Sequence, residues 1–312
     1  MVGAANWVAA AGGTVGRVKV TVFGGSGFLG SHVADRLSEV GHEVTVFDQN
    51  ESAWLRDDQR MVVGDILDRN AVGSAVEGAG AVYNYAAIAD LNEAIEMPVA
   101  AAEVNVIGNV NVLEACRAAG VGRFVYASTV YVYSRQGGFY RCSKQAAEHF
   151  VEEYEQSYGL DYTILRYGSL YGPRSDEHNG LWRIVRGAID SGRIRYQGSR
   201  EALREYIHVD DAARASVQIL GDEFRNQHVV LTGQEPMRVV DLLGMIGEIL
   251  GLDPSCVEVD ETPQAGHYVR TPYAYMPKPG RKYVPPMHVD LGQGLLQLID
   301  EVQASRTDPG AA

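Results

Sequence analysis

A tyrosine and a lysine four residues apart could form a proton-transfer pair. They lie in the segment Tyr140-Arg141-Cys142-Ser143-Lys144, and on a helix residues i and i+4 share one face. A free phenol has a pKa of about 10 and is a poor base at neutral pH, but a nearby ammonium favours the phenolate. The pair therefore predicts a tyrosine that takes a proton from a hydroxyl group, with a surface helix pair as the alternative.

Two hydroxyl side chains precede this pair along the chain. Ser128 and Thr129 end the segment RFVYAST (123–129), which has the composition of a buried strand. A group at this position could hold the hydroxyl on which the phenol acts. Both residues are therefore predicted catalytic residues, together with Tyr140 and Lys144.

A glycine-rich turn follows the first predicted strand and begins a helix. In the segment GGSGFLG, Gly24 permits a tight turn, Gly27 lets the backbone approach a pyrophosphate, and Gly30 allows close helix–strand packing. The helix that starts near Phe28 and Leu29 presents its N-terminus to the phosphates. This context predicts a dinucleotide site; the alternative is a plain strand-to-helix connection that binds no ligand.

The ends of three further strands supply candidate contacts for the rest of the dinucleotide. Asp48 could accept hydrogen bonds from the ribose hydroxyls and would repel a 2′-phosphate, which favours NAD over NADP; a turn aspartate is the alternative. Asp65 could bond adenine while Ile66 packs on its face, or it could cap a helix. Ala86 and Ala87 are small enough for the backbone to pass close to the cofactor.

The order of apolar segments predicts how these residues are positioned. Strand-length runs rich in Val, Ile and Tyr alternate with helical patterns through the first half of the chain, which predicts a parallel sheet covered on both faces. The fold class is therefore α/β, a doubly wound parallel sheet of the Rossmann type. The predicted strands are 18–23, 43–47, 61–65, 81–87, 123–129 and 162–168, and the main helices are about 99–119 and 140–158.

The pattern becomes less regular after residue 172, where short strands and helices predict a smaller C-terminal α/β substrate domain. We assign residues 18–172 and a returning segment at about 205–235 to the dinucleotide domain. Residues 173–204 and 236–304 form the substrate region, within which the proline-rich stretch 261–288 is expected to wrap the surface as loop. Residues 1–17 and 305–312 are expected to be flexible tails.

Composition excludes several classes of protein. The chain has 312 residues with 27 basic and 40 acidic side chains, a net charge of −13, which argues against nucleic acid as a partner. No apolar run reaches about 18 residues, so no membrane span is expected, and a secretory signal is not favoured. Three scattered cysteines, with no spacing for a metal site, are typical of reduced thiols in a cytoplasmic protein.

Together these motifs resemble the extended short-chain dehydrogenase/reductase superfamily, and within it the NAD-dependent epimerase/dehydratase family. The resemblance covers about residues 18 to 250. Its segments are GGSGFLG, VYNYAA, NVIGNVNVLEA (105–115), FVYASTVYVY (124–133), YRCSK, TILRYGSLYGPR (163–174) and REYIHVDDAARA (204–215).

The resemblance implies roles for individual residues. Tyr140 and Lys144 would be catalytic, and Thr129 would be their helper, with Ser128 beside it. Tyr167 would contact the cofactor. The substrate would be a nucleotide-diphosphate sugar. Two helices per subunit, at about 99–119 and 140–157, would pack into a four-helix bundle in a homodimer.

Substrate contacts are predicted at three further positions. By resemblance, Arg204 would hold the diphosphate. Ser169 stands where relatives carry an asparagine. Arg270 could grip a diphosphate bidentately, or it could be a surface arginine.

The resemblance also bears on which reaction follows. Family 4,6-dehydratases carry Asp-Glu directly after the helper and decarboxylases carry a Glu, whereas this chain has Val130 and Tyr131. A nucleotide-sugar epimerase working through a 4-keto intermediate fits best. A 4-dehydrogenase or 4-reductase is the alternative, followed by a dehydratase or decarboxylase and last by a non-catalytic NAD-binding sensor.

A further departure from the family concerns the sugar pocket. The connection 134–139 is short, so the pocket is expected to be more open than in relatives or to be filled from 261–288. The tyrosines Tyr126, Tyr131 and Tyr133 are interpreted mainly as strand packing.

Overall fold

The computed structural model describes residues 16–262, 267, 271–272, 281–283 and 287–307. Eight strands form the main sheet, and all of its pairs are parallel. These strands are β1 (Lys19–Phe23), β2 (Glu43–Asp48), β3 (Gln59–Val63), β4 (Ala81–Asn84), β5 (Arg123–Thr129), β6 (Tyr162–Tyr167), β11 (Gln227–Leu231) and β14 (Arg281–Tyr283).

Helices cover both faces of this sheet and continue into the second half of the chain. They are α1 (Phe28–Glu39), α2 (Arg69–Val76), α3 (Leu91–Glu96), α4 (Pro98–Ala102), α5 (Asn109–Ala119), α6 (Gly138–Tyr158), α7 (Gly180–Ser191), α8 (Val209–Gln218), α9 (Val239–Ile249) and α10 (Leu291–Thr307). Within the described residues, no helix is both long and apolar enough to span a membrane.

The strand order is β14-β11-β6-β5-β4-β1-β2-β3. The chain therefore runs outward from β1 in one direction, then returns to β4 and runs outward in the other. The predicted doubly wound α/β fold is confirmed. In such sheets the crevice beyond the carboxyl ends of the strands, where the order reverses, is the ordinary place for a ligand.

Each sheet face buries its own apolar cluster, which explains why the strands read as nearly continuous apolar runs. One cluster packs Val20, Val22, Val33 and Leu37 with α8 residues such as Ala212, and the other packs Phe23 and Phe47 with residues of α2, α5 and α6.

A third cluster unites side chains between residues 171 and 302, including Leu181, Leu242, Leu243 and Leu298. Short strands complete this region: β7 (Ser169–Tyr171), β8 (Ile194–Gln197), β9 (Leu203–Arg204), β10 (Tyr206–His208), β12 (Met237–Arg238) and β13 (Val257–Asp260). The domain boundaries drawn from the sequence stay a prediction, and residues 1–15 and 308–312 of the expected tails lie outside the described residues.

Two expectations about the C-terminal part were wrong. The stretch 261–288 is not loop throughout, because β14 extends the main sheet beside β11. The chain is still helical at residues 305–307, where a flexible tail was expected, because α10 runs from residue 291 and packs its apolar side into the third cluster.

The predicted helix at 99–119 is present but not uniform. A π-helical stretch, Glu103–Gly108, separates α4 from α5. π-Helical turns inside helices often occur beside functional sites, and this stretch carries Asn105, a buried residue that takes part in the site described next.

Candidate active site

The glycine turn lies at the point where the strand order reverses. Gly24 has φ +72, and a Cβ there would lie 2.5 Å from the backbone nitrogen of Ala86, beyond β4. A Cβ at Gly30 would collide with the carbonyl of Gly24. The first and third glycines are therefore needed for the turn and for helix–strand packing.

The middle glycine leaves the start of α1 open. Gly27 precedes the helix with φ −77 and without a side-chain cap, and the first turn contains no acidic residue. By contrast, α2 and α3 are capped by Asp68 and Asp90. Free amide groups and the positive end of the helix dipole suit a pyrophosphate.

A cavity of about 660 Å³, here called the glycine cavity, opens in front of this turn. It is lined by most of the residues predicted to contact the dinucleotide, namely Gly24, Gly27, Asp48, Asp65, Ile66, Ala86 and Ala87.

The two aspartates of the glycine cavity also fix the local backbone. Asp48 accepts hydrogen bonds from the backbone amides of Ser26 and Asn50, each at 3.1 Å. Asp65 accepts from the amide of Leu67 at 2.9 Å. Asp65 does not cap α2, since that position belongs to Asp68.

A second cavity of about 430 Å³, the catalytic cavity, adjoins the first and shares Gly24, Gly27, Tyr85 and Ala87 with it. The predicted catalytic residues meet here with three predicted cofactor contacts. The lining includes Phe28, Leu29, Ser128, Thr129, Tyr140, Lys144 and Tyr167.

Tyr140 and Lys144 lie on the first two turns of α6 and face β5. The Tyr140 phenol is hydrogen-bonded to the Thr129 hydroxyl. The Lys144 Nζ donates to the carbonyl of Ala127 at 2.8 Å and lies 4.9 Å from the Tyr126 ring centroid. The three predicted groups are therefore in one place, with the lysine anchored on the strand.

Burial works against charge on both members of the pair. It raises the pKa of Tyr140 to about 12, although the Thr129 hydrogen bond acts in the opposite direction. It lowers the pKa of Lys144 to about 7, opposed by the charge of Glu148. Lys144 alone therefore does not favour the phenolate, and the role of Tyr140 as a base stays a prediction that also requires the positive charge of oxidised NAD.

Ser128 and Thr129 both line the catalytic cavity but have different partners on α6. The Ser128 hydroxyl donates to Glu148 at 2.5 Å. Glu148 also accepts both arms of Arg166, at 3.0 and 2.6 Å. This buried network ties the end of β5 to α6 one turn beyond Lys144.

A third cavity of about 440 Å³, the arginine cavity, meets the catalytic cavity at Leu170, His178 and Asn179. Its described lining holds three arginines and no carboxylate, with Tyr131 and His267 and the first turn of α7. The arginines are Arg183, Arg195 and Arg204.

This arrangement suits an anion in a protein of net charge −13. The predicted contacts Arg204 and Ser169 both line the arginine cavity. Arg270 lies outside the described residues. Arg183, which also pairs with Asp90 at 3.4 Å, was not singled out from the sequence.

Comparison with known proteins decides the family. The model of the NAD dependent epimerase/dehydratase family matches residues 20–232, well over half of the chain. The chain belongs to this family. The resemblance inferred from the motifs is confirmed, the chain is an enzyme of this class, and NAD is its cofactor.

Relatives of this family member carry out more than one reaction. This chain is 28% identical to a dTDP-glucose 4,6-dehydratase of Mycolicibacterium smegmatis, over 93% of this chain and 95% of the relative. It is 31% identical to a UDP-glucose 4-epimerase of Rhizobium leguminosarum, over 74% and 81%. The structure of a Thermus thermophilus UDP-glucose 4-epimerase with NAD matches with a TM-score of 0.77 and 28% identity, over 92% and 99%.

The residues of this epimerase/dehydratase-family chain fit NAD at the glycine cavity. Gly24 and Gly30 have no room for a Cβ, the α1 N-terminus lacks a side-chain cap, and Asp48 ends β2 beside them. These residues would hold the adenosine and pyrophosphate, while Tyr140 and Lys144 line the adjoining cavity.

Two residues of this site were given no role from the sequence. Asn105 accepts from the amide of Ile88 at 2.8 Å and donates to the carbonyl of Ile88 and to Ser143, so it fixes the loop after β4 against α6. It begins the family segment NVIGNVNVLEA, which was a signal that could have identified it. His178 lines all three cavities and lies in no such segment.

The interpretation of the three tyrosines as strand packing holds only for Tyr126, which lies in β5. Val130–Tyr133 forms a 3-10 turn rather than strand. Tyr126 and Tyr133 are buried, as expected, but Tyr131 lines the arginine cavity.

Proposed function

We propose that this enzyme is a nucleotide-sugar epimerase that works through a 4-keto intermediate. The observation that carries the proposal is that the catalytic and arginine cavities adjoin, since Leu170, His178 and Asn179 line both. A diphosphate held by arginines at one end would leave the attached sugar next to Tyr140 at the other.

Three side chains would act on the sugar. Tyr140 accepts the proton of the 4-hydroxyl, and Thr129, already bonded to that phenol, holds the hydroxyl in line. Lys144 is fixed on the Ala127 carbonyl and stabilises the phenolate by its charge when protonated. NAD, when bound, supplies the hydride acceptor and a positive charge. Ser128 has a supporting role, since its hydroxyl donates a hydrogen bond to Glu148.

Positive charge would hold the diphosphate. Arg204 is buried, and Arg183 lies in the first turn of α7 on the wall of the same cavity. Arginine suits such groups because its planar fork pairs with two oxygens at once.

Epimerisation is favoured by the side chains beside the helper. Val130 is buried in an apolar cluster and cannot transfer protons at C5 or C6. An epimerase needs no such group, but the keto sugar must turn over before reduction, and the joined cavities offer space for this.

We also propose a homodimer formed through α4, α5 and α6. Seven of the fourteen exposed large hydrophobic side chains among the described residues fall between residues 91 and 158. They are Ile95, Met97, Val99, Ile107, Phe139, Phe150 and Tyr158. We keep the cytoplasm as the proposed compartment, since Cys116, Cys142 and Cys256 are all free thiols.

A panel of UDP-, dTDP- and GDP-sugars, incubated with the enzyme and NAD, tests the reaction. Epimerisation gives a product of unchanged mass in which NMR shows the opposite configuration at C4. Loss of two hydrogens would instead show a 4-dehydrogenase, and loss of water or carbon dioxide a dehydratase or decarboxylase. Turnover of no member of the panel would contradict the proposal.

A further inference from the structure

The loop between β2 and β3 places a tryptophan on the wall of the glycine cavity. Trp54 is 40% exposed and lines this cavity, as do Asp48, Asp65 and Ile66, the predicted contacts of the adenosine. It does not line the catalytic cavity, which contains Tyr140. The indole ring therefore belongs to the part of the site that is expected to hold adenosine rather than the nicotinamide.

The other aromatic side chains of this wall are less suited to a ligand at that end. The described lining of the glycine cavity holds one phenylalanine, one tyrosine and one tryptophan. Phe47 is buried in the core and packs on Phe23. Tyr85 also lines the catalytic cavity and is hydrogen-bonded to Tyr167. Among these described residues, Trp54 alone offers an exposed ring away from the catalytic residues.

An arginine supports this ring from outside the cavity. The guanidinium carbon of Arg174 lies 4.9 Å from the centre of the Trp54 ring, within the range of a cation–π contact. Arg174 is not part of the described lining of the glycine cavity. Its Nη1 is buried and has no hydrogen-bond partner among the described residues, so the face of the indole compensates this nitrogen.

Two helices fix the arginine itself. Its Nη2 donates to Asp35 of α1 at 2.7 Å, and its backbone amide donates to the carboxylate of Glu301 of α10 at 2.8 and 3.1 Å. Its φ is +63, a conformation that residues other than glycine adopt only where the surrounding structure holds them. The cation is therefore held in one place beneath the ring.

A fixed indole is well suited to the adenosine of a dinucleotide. A purine base has a π face, and stacking of a base on an aromatic side chain stabilises complexes without any hydrogen bond. A ring already held in position loses little side-chain freedom when the ligand binds. Asp48 supplies the polar contacts to the ribose, so an apolar face beside it would complete the adenosine end.

We propose that Trp54 packs against the adenosine of NAD and that Arg174 is a positioning residue that holds its ring. Through Arg174, the C-terminal helix α10 would contribute to cofactor affinity, although none of the residues described for α10 lines the glycine cavity. The proposal concerns the cofactor and not the sugar, so it does not depend on the proposed epimerisation.

Calorimetry on cofactor-free enzyme with NAD and with ADP-ribose tests the contact, since ADP-ribose has the same adenosine but no nicotinamide. Trp54→Ala should raise both dissociation constants about tenfold, or about 1.4 kcal/mol, within the range for a base on an aromatic ring. Trp54→Phe should lose less than threefold. Leu55→Ala is the matched control, because Leu55 is equally exposed but lines none of the three cavities. Wild-type affinity for ADP-ribose in Trp54→Ala would overturn the proposal.

Fluorescence gives a second test that does not depend on the alanine variant. The chain has three tryptophans, Trp7, Trp54 and Trp182. ADP-ribose should quench the emission of the wild-type protein and of Trp182→Phe, because a base packed on indole quenches it. The quenching should be lost in Trp54→Phe. Undiminished quenching in Trp54→Phe would show that the adenosine lies against another part of the protein.

A double-mutant cycle tests whether Arg174 acts through the ring. Arg174→Met should raise the dissociation constant of ADP-ribose about threefold, in line with the usual strength of a cation–π contact, and Arg174→Lys should recover part of this loss. In the Trp54→Ala background, Arg174→Met should have no further effect. Losses that add in the double variant would mean that Arg174 acts independently of Trp54, and its positioning role would be wrong.

Discussion

The ammonium nitrogen of Lys144 lies 5.9 Å from the ring centroid of Tyr140. Without cofactor, burial places the two pKa values at about 7 and about 12, so both groups are mostly neutral near pH 8. The proton acceptor is therefore not formed in advance. Its formation requires an added positive charge, which oxidised NAD would supply when bound.

Replacing the phenol tests the assigned base. Tyr140→Phe should lower turnover of the nucleotide sugar by about 10²–10⁴-fold, the usual contribution of general-base catalysis, while NAD affinity changes less than threefold. Steady-state kinetics and NAD titration measure the two effects. Thr129→Val, which removes only the hydroxyl partner, should give a smaller loss. Retained activity in Tyr140→Phe would show that another group is the base.

The lysine should make stability depend on pH. Its folded pKa of about 7 is below the unfolded value of 10.5, so as pH falls from 10.5 towards 7 the unfolded chain binds a proton that the folded chain does not. The folded state is therefore penalised most below pH 7, by up to about 5 kcal/mol.

Lys144→Met should accordingly stabilise the cofactor-free protein at pH 6, and the gain should shrink towards pH 10. Urea unfolding at several pH values measures this. Lys19→Met is the control, since that side chain is 60% exposed and should show no such trend. A gain that is the same at every pH would mean that Lys144 titrates normally.

Substitutions at two glycines of the turn should have different effects, one on stability and one on NAD binding. Gly24→Ala forces a side chain into a positive φ and against the Ala86 backbone, which should destabilise the protein by at least 1–2 kcal/mol. Gly27→Ala meets only an ordinary contact at 3.4 Å. It should leave the melting temperature unchanged and weaken NAD binding tenfold or more. Unimpaired NAD binding in Gly27→Ala would place the pyrophosphate elsewhere.

Asp48 should determine whether the enzyme prefers NAD or NADP. Asp48→Asn keeps an oxygen for the Ser26 or Asn50 amide but removes the charge that repels a 2′-phosphate. We expect NAD affinity to fall and NADP affinity to rise, which fluorescence titration with the reduced cofactors can measure. A parallel loss for both would mean that the carboxylate serves only the turn.

A charge in the proposed dimer interface should separate the subunits. Ile107 is 51% exposed in the π-helical stretch before α5, and Val40, at the end of α1, is 59% exposed. Ile107→Glu should convert the dimer to a monomer in light scattering after gel filtration, whereas Val40→Glu should not. A wild-type protein that is monomeric at micromolar concentration would contradict the proposed homodimer.

Much of the fold and the catalytic core could be predicted from local pattern. The observed β5 coincides with the predicted strand 123–129, and the glycine turn and Tyr140–Lys144 meet where their order along the chain requires. These features carry signals within a few residues of one another, in apolar runs or fixed spacings.

The features that were missed depend on distant contacts. β14 has three residues, two of them charged, which suits an edge strand with a single neighbour but resembles a loop in sequence. Tyr131 contacts His267, which lies 136 residues later in the chain. The π-helical stretch Glu103–Gly108 has the composition of an ordinary helix, so it could not be predicted from the sequence.

The position of β14 has a consequence for how the main sheet is assembled. Arg281–Tyr283 pairs with β11 at one edge and follows every other strand of this sheet along the chain. During translation the strands around the glycine turn, β1, β2 and β4, can therefore pair before this edge is synthesised. The nucleotide-binding crevice can form without it.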